Sequence, residues 1–129
     1  MSLHFNFNPR RGLIVVPTGI VGPRGLIIVR LALDTGATAT AVSTEVLISL
    51  GYDPGAASEQ VPITTGSGIE VAPRVVLNRI EALFHQRRSF PALSYTRPSR
   101  ASVDGVLGLD FLRGWRLIVD FRAGAITLE

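Results

Sequence analysis

The sequence predicts an all-β fold, mainly strands with one or two short helices. Three observations carry that expectation. The apolar runs are short, rich in β-branched residues and bounded by glycine and proline. Only one stretch carries a full set of helix start and stop signals. Near the C-terminus, apolar and polar residues alternate with the period of a half-buried strand. The chain has 129 residues, of which 47% are hydrophobic, and its mean hydropathy is +0.34. That is enough for one domain with a real core, and it argues against a disordered tail. No composition shift or low-complexity segment marks an internal boundary. Residues 12–129 are therefore expected to form a single domain, with residues 1–11 as an arm, a linker end or a cloning remnant.

Residues 13–16 and 26–29 read as paired strands joined by the turn-rich connection from Pro17 to Gly25, a hairpin with a long loop. The near-repeat Arg-Gly-Leu-Ile-Val-Val and Arg-Gly-Leu-Ile-Ile-Val is too short for a solenoid period, so it marks two similar strands. The second strand continues through Leu33 into Asp34-Thr35-Gly36, and a short strand is expected over residues 38–42. Ser43 is placed to cap a helix, with Glu45 in its first turn and an apolar stripe of Val46, Leu47 and Leu50. Gly51 and Pro54 end it. Two extended stretches between residues 60 and 76 flank Thr64-Thr65-Gly66-Ser67-Gly68, where glycines favour a hairpin tip. Residues 75–84 form a further strand region, 85–88 a polar turn, 90–93 an extended stretch and 95–102 a loop. A short helix over 109–113 is stopped by Gly114. Trp115, Leu117, Val119 and Phe121 then supply the inward face of a strand, and Ala123-Gly124 turns the chain into a last strand over 125–128.

The composition excludes several functions. There are no cysteines, so there is no disulfide framework, thiolate nucleophile or Cys-ligated metal. His4 and His85 lie far apart in sequence, which argues against a histidine metal site, and no cofactor is expected. The net charge is +3 and all 13 basic residues are arginine. Without a lysine-rich stripe, aromatic interleaving or zinc-finger spacing, nucleic acid is not an expected partner. No apolar run reaches the roughly 20 residues of a spanning helix. Membrane contact is not expected. No secretory signal is visible, so the expectation is a cytoplasmic protein or one trimmed from a longer precursor.

Asp34 is the strongest candidate for chemistry. It ends a hydrophobic strand, which carries the acid to the floor of a cleft. Thr35 offers a hydroxyl that can brace the loop, and Gly36 lets the backbone turn and bring its N–H to the carboxylate. A carboxylate held this way is oriented and partly stabilised as the anion. Asp-Thr-Gly alone is also an ordinary turn. What lifts it is the order of features: an apolar run before it, a small-residue strand and helix after it, a glycine-tipped hairpin, then Val106-Leu107-Gly108 opening a helix.

On these residues the chain resembles the retropepsin-like aspartic proteases, which include retroviral proteases, the protease-like domain of ubiquitin shuttle proteins and bacterial single-domain relatives. The matching segments are Leu31–Ala37, Thr64-Thr65-Gly66-Ser67-Gly68-Ile69, residues 106–112 and residues 118–124, so the resemblance spans about residues 12–128. Gly-Leu-Asp-Phe-Leu is closer to the ubiquitin-shuttle and bacterial members than to the retroviral ones. Thr38-Ala39 replaces the acid that retroviral enzymes carry shortly after Asp-Thr-Gly-Ala, so their intra-site ion pair is not expected here.

The resemblance implies a closed β-barrel acid-protease fold, a homodimer and a polypeptide substrate. Acid–base peptide hydrolysis independently requires two carboxylates sharing a proton, the arrangement familiar from pepsin. This chain has one Asp-Thr-Gly, so the second Asp34 must come from a twofold-related copy. The resemblance assigns Thr35, Gly36 and Ala37 to loop support. It assigns residues 63–71, with Thr65, Gly66, Ser67, Gly68 and Ile69 at the tip, to a flap closing over an extended peptide. Val106, Leu107 and Gly108 form the second hydrophobic-glycine loop.

The alternative is a protease-like module that dimerises or binds peptide without cleaving it. A phosphorylated-aspartate enzyme is disfavoured, because the chain has no lysine and no acid at the two positions after Asp34. The other acids read as structural. Asp104 is expected to start a turn or cap a helix, Asp110 to sit in a helix's first turn, and Asp120 on a polar strand face. His85, Arg97 and Arg100 read as solvated surface, and Trp115 as core or dimer packing.

Overall fold

A computed structural model describes residues 3–129 and, of Thr65, the backbone; Met1 and Ser2 of the expected arm lie outside the described residues. In chain order the elements are β1 (His4–Asn6), β2 (Val15–Gly22), β3 (Gly25–Leu33), β4 (Ala41–Ser43), α1 (Thr44–Ser49), a 3₁₀ turn (Pro54–Ala56), β5 (Gln60–Thr65), β6 (Gly68–Ala82), β7 (His85–Tyr95), β8 (Gly105–Leu107), α2 (Leu109–Leu112), β9 (Leu117–Asp120) and β10 (Ala125–Leu128). The fold is mainly β with two short helices, as the sequence predicts.

The main sheet runs in the order β2-β3-β8-β4-β7-β6-β5, and a further β2–β6 pairing closes six of these strands into a barrel. Closure removes the exposed edges that an open sheet would present. Strand β6 is long because it serves three partners, β2, β5 and β7. Its first residues pair with β5 as a projecting hairpin, and its remainder pairs with β7 in the barrel wall. The β3–β8 and β4–β7 pairings are parallel. A separate antiparallel sheet, β1-β10-β9, joins the two ends of the described chain. Val16, Ile20, Leu31, Val42, Leu47, Leu77, Ile80, Leu107 and Phe111 fill the core.

Helix α1 starts by a different means from the one expected and stops at Gly51 as expected. Ser43 occupies the N-cap position but makes no side-chain cap bond. The Thr44 hydroxyl instead bonds to Ser94 Oγ and the Tyr95 carbonyl, tying the helix to β7. At the other end, Gly51 adopts φ +93. Gly51 N–H then reaches the Ile48 carbonyl and Tyr52 N–H the Leu47 carbonyl, the paired bonds of a Schellman stop.

Several boundaries differ from the sequence reading. The expected long loop from Pro17 to Gly25 is mostly strand, and only Pro23 and Arg24 form the turn. Thr18 and Ile20 are fully buried, and burial overrides the local turn composition. The β6 pairing covers only Gly19–Val21, so Pro17 has no N–H to lose on that side. The expected polar turn at 85–88 is the start of β7, and the chain reverses at Leu83 and Phe84, with φ of 52° and 67°. Both residues take the left-handed region that such two-residue turns require, although neither is a usual turn former. Burial of the Leu83 side chain offsets part of the backbone strain. His85 is half-buried rather than solvated: its Nε2 meets the Leu128 carbonyl at 2.5 Å and its ring stacks 3.9 Å from Trp115. Trp115 precedes β9 rather than opening it. Leu117 and Val119 do form the inward face, while Phe121 is 67% exposed and packs edge-on against Phe7.

The β6–β7 ladder skips Asn78 and Ser89, where Ser89 takes φ 49°. Asn78 N–H bonds instead to Tyr52 Oη at 2.8 Å, and that hydroxyl donates to the Val21 carbonyl at 2.9 Å. One phenol therefore joins three segments. Tyr52→Phe leaves the Asn78 N–H and Val21 carbonyl without this partner and is expected to lower stability by about 1–3 kcal/mol, read as a lower urea midpoint at unchanged slope. An unchanged midpoint refutes that role.

Candidate active site

Strand β3 delivers Asp34 to the end of the barrel. Leu33 N–H bonds to the Ile14 carbonyl at 2.8 Å, and Asp34 N–H to the Leu107 carbonyl at 3.0 Å, so the backbone is held from both sides as it leaves the sheet. The chain then turns tightly: Ala37 N–H reaches the Asp34 carbonyl at 3.2 Å, and Gly36 N–H donates to Asp34 Oδ1 at 2.9 Å. Asp34 is half-buried, while Thr35 and Gly36 are exposed. Oδ2 takes no hydrogen bond among the described residues. One carboxylate oxygen is thus fixed by the backbone, and the other remains available to water or a second acid.

The segment after the turn is held by α2. Leu109 N–H bonds to the Ala37 carbonyl at 2.9 Å. Asp110 Oδ1 accepts the Thr40 hydroxyl at 2.7 Å, and both Asp110 oxygens lie 3.0 Å from Thr40 N–H. The same hydroxyl oxygen accepts Gly108 N–H at 3.1 Å. Thr40 is fully buried, so its polar groups must find protein partners, and all do. This use of Thr40 explains why the strand expected over 38–42 shrinks to Ala41–Ser43: the Thr40 N–H is spent on Asp110 rather than on a ladder. Gly108 permits the contact. A Cβ there would lie 2.8 Å from the Ala39 carbonyl carbon and 2.9 Å from the Ala37 and Ala39 carbonyl oxygens. Those atoms are backbone and have little room to yield.

Val106 and Leu107 lie on β8, where Val106 pairs with Ala32 on one side and Ala41 on the other, and Leu107 is fully buried. The second hydrophobic-glycine segment and the Asp34 turn are therefore adjacent. The β5–β6 hairpin projects Gly66 and Ser67 at its tip, between the Thr65–Gly68 pair. Ile69 and Val71 are 76% and 61% exposed, so the hairpin presents apolar side chains to solvent. The side chain of Thr65 lies outside the described residues.

Asp104 neither starts a turn nor caps a helix. Its carboxylate accepts Arg30 N–H at 3.0 Å and pairs with Arg97 at 2.6 Å, while Arg30 itself reaches the Ser102 carbonyl. The loop between β7 and β8 is thereby anchored at its base, and Arg97 is a structural partner rather than free surface. Tyr95, at the start of that loop, has its phenol pushed above the usual value near 10 by burial, with Asp104 adding to the shift and Arg97 opposing it. Among the described residues, no three or more His, Cys, Asp or Glu side chains cluster as metal ligands would. Asp120 accepts the N–H groups of Arg122 and Ala123, which shapes the β9–β10 turn.

Thr40 is the site residue that sequence reasoning missed. Its partner Asp110 lies 70 positions away, and an isolated threonine among small residues carries no local signal. Thr40→Val keeps the shape and removes the hydroxyl. It is expected to cost about 1–3 kcal/mol in a denaturation experiment, because Gly108 N–H loses its acceptor and Asp110 a donor. Thr40→Ser is expected to restore most of that loss; equal stability of all three proteins refutes the clamp.

The aspartyl protease family matches residues 23–111, well over half the chain. No match is found among curated protein sequences. Among solved structures, the chain is similar to a retropepsin-like aspartic protease from Rickettsia conorii, with a TM-score of 0.73 and 17% identity over 99% of this chain and 89% of that one. It is also similar to the retroviral protease-like domain of Ddi1 from Leishmania major, with a TM-score of 0.61 and 16% identity over 93% of this chain and 90% of that one. The fold is therefore retropepsin-like, and with Asp34-Thr35-Gly36 inside the matched region, the chain belongs to the aspartyl protease family.

Proposed function

We propose that residues 12–129 form an aspartic endopeptidase domain whose reaction centre is completed by a second, identical copy. The observation that carries this reading is a single Asp-Thr-Gly whose half-buried carboxylate precedes the exposed Thr35 and Gly36, with one oxygen held by Gly36 and the other without a hydrogen bond among the described residues. Family membership supports protease chemistry in general, and that chemistry needs two acids.

Two Asp34 carboxylates brought within about 3 Å cannot both ionise, so the pair holds one proton. The ionised member accepts a proton from water as the water oxygen attacks the scissile carbonyl carbon. The protonated member donates to the carbonyl oxygen. The resulting tetrahedral diol collapses when its C–N bond breaks and the leaving nitrogen takes a proton. The roles of the two acids are interchangeable, and their titration belongs to the pair. Gly36 braces the turn through its N–H on Asp34, the exposed Thr35 is left to face the twin copy, and the close approach of Ala37 to α2 through Leu109 holds the orientation.

The β5–β6 hairpin acts as a flap in this reading. An extended substrate adds like a strand, its main chain hydrogen-bonded and its alternate side chains in pockets. Closure of Gly66–Ile69 excludes bulk water from the diol. The exposed Ile69 and Val71 supply an apolar surface for substrate or for the facing hairpin.

Asp34→Asn is expected to abolish cleavage of a peptide library, by at least about 10³-fold, with folding and association unchanged by circular dichroism and sedimentation. Undiminished turnover refutes the assignment. Specific activity of the wild-type protein is expected to fall on dilution through the dimer dissociation constant; constant activity per chain at concentrations where sedimentation shows only monomer contradicts a shared centre.

A further inference from the structure

A groove of about 770 Å³ opens beside the Asp34 turn. One wall is Thr38 and Ala39, the direct continuation of that turn. The other is β7 from Gln86 to Leu93, with Arg74 of β6 and Asp110 of α2 completing it. Three guanidinium groups, those of Arg74, Arg87 and Arg88, line it. Arg74 is neutralised by Glu59 at 2.7 Å. Arg87 spends its N–H groups on the Phe111 and Arg113 carbonyls, which fix its position without cancelling its charge. Arg88 is exposed and has no ion pair among the described residues. Against these two uncompensated cations stands Asp110, whose oxygens are turned to Thr40 and Phe111 N–H. Ser89, held at φ 49°, kinks β7 between Arg88 and the buried Phe90. Strained backbone of this kind persists only where the surroundings hold it, and it is concentrated at functional sites.

We infer that this groove takes acidic side chains of the polypeptide substrate at positions remote from the scissile bond, an inference that rests on the endopeptidase reading above. Thr38 lies four residues from Asp34, a separation of at most about 14 Å, which an extended peptide spans in about four residues. A substrate strand leaving the reaction centre along Thr38 and Ala39 brings its fourth to sixth residue from the cleaved bond past Arg87 and Arg88. The Arg88 guanidinium suits a carboxylate there, because its planar fork can donate two parallel hydrogen bonds, while Arg87, with Nε and Nη2 engaged, adds positive charge. The pairing is part-exposed, so it acts on affinity and weakens with salt.

Digestion of a mixed peptide library tests it. Cleaved peptides are expected to carry Asp or Glu about three- to tenfold above background four to six residues from the cut on one side, and Arg88→Glu is expected to abolish or reverse that enrichment. A flat distribution, or an enrichment that Arg88→Glu leaves intact, overturns the groove assignment while the endopeptidase reading stands. A library left wholly uncut defeats the endopeptidase reading instead. Binding then decides the groove by itself: fluorescence anisotropy of Asp34→Asn protein with a labelled peptide of about eight residues rich in Asp and Glu, against its Asn and Gln analogue. The acidic peptide is expected to bind more tightly at low salt, with the gap closing near about 0.5 M salt. Equal affinity at low salt overturns the inference.

Discussion

The close approach of α2 to the segment that follows Asp34 governs the geometry of this molecule. At Gly108 the two backbones come so near that no side chain fits between them. Through that gap pass the Leu109 bond to Ala37, the Gly108 bond to the Thr40 hydroxyl and the Asp110 bonds to Thr40. The parallel β3–β8 pairing brings Leu107 to the Asp34 N–H from the same side. The turn bearing the carboxylate is therefore clasped before and after its exposed residues. The energetic logic is that of a buried polar network: each group is costly if orphaned, so a fully satisfied set specifies one arrangement.

Barrel closure contributes rigidity of a different kind. The β2–β6 pairing joins the first strands to the middle of the chain, and the buried aliphatic core fixes the registers that aim β3 at its terminus. Outside the barrel, the β5–β6 hairpin is built on its own antiparallel ladder, with Arg74 N–H bonded to the Glu59 carbonyl at its base, and carries exposed apolar residues. The segment around Asp34, by contrast, is bonded to the backbone of Ile14, Leu107 and Leu109. Exposure of Thr35 and Gly36 in the single chain is in keeping with a surface that a twin copy meets in the proposed enzyme.

Much of this was legible in sequence. Helix α1 and the Asp34 turn each rest on local chemistry, a glycine stop in one case and a short Asx-type turn in the other. The amphipathic alternation of Leu117 and Val119 is likewise local. What the sequence concealed was set at long range. Pro17 to Gly22 carry turn-forming residues, yet burial of Thr18 and Ile20 between two neighbouring strands makes them strand. Leu83 and Phe84 carry no turn signal but must reverse the chain because β6 and β7 pair on both sides of them. Asp104, Asp110 and Thr40 find partners roughly 70 positions away, and no local pattern announces such bonds. Arg87 and Arg88 fall in what reads as a polar turn until β7 sets them beside Thr38.

The central claim is that two copies of Asp34 form one reaction centre, and a crystal structure of the protein at concentrations where it is dimeric measures that most directly. The account predicts the two Asp34 carboxylates facing each other across a twofold axis within hydrogen-bonding distance, about 3 Å, with a water between them and the hairpins above. A dimer that buries another face and leaves each Asp34 alone in solvent contradicts it.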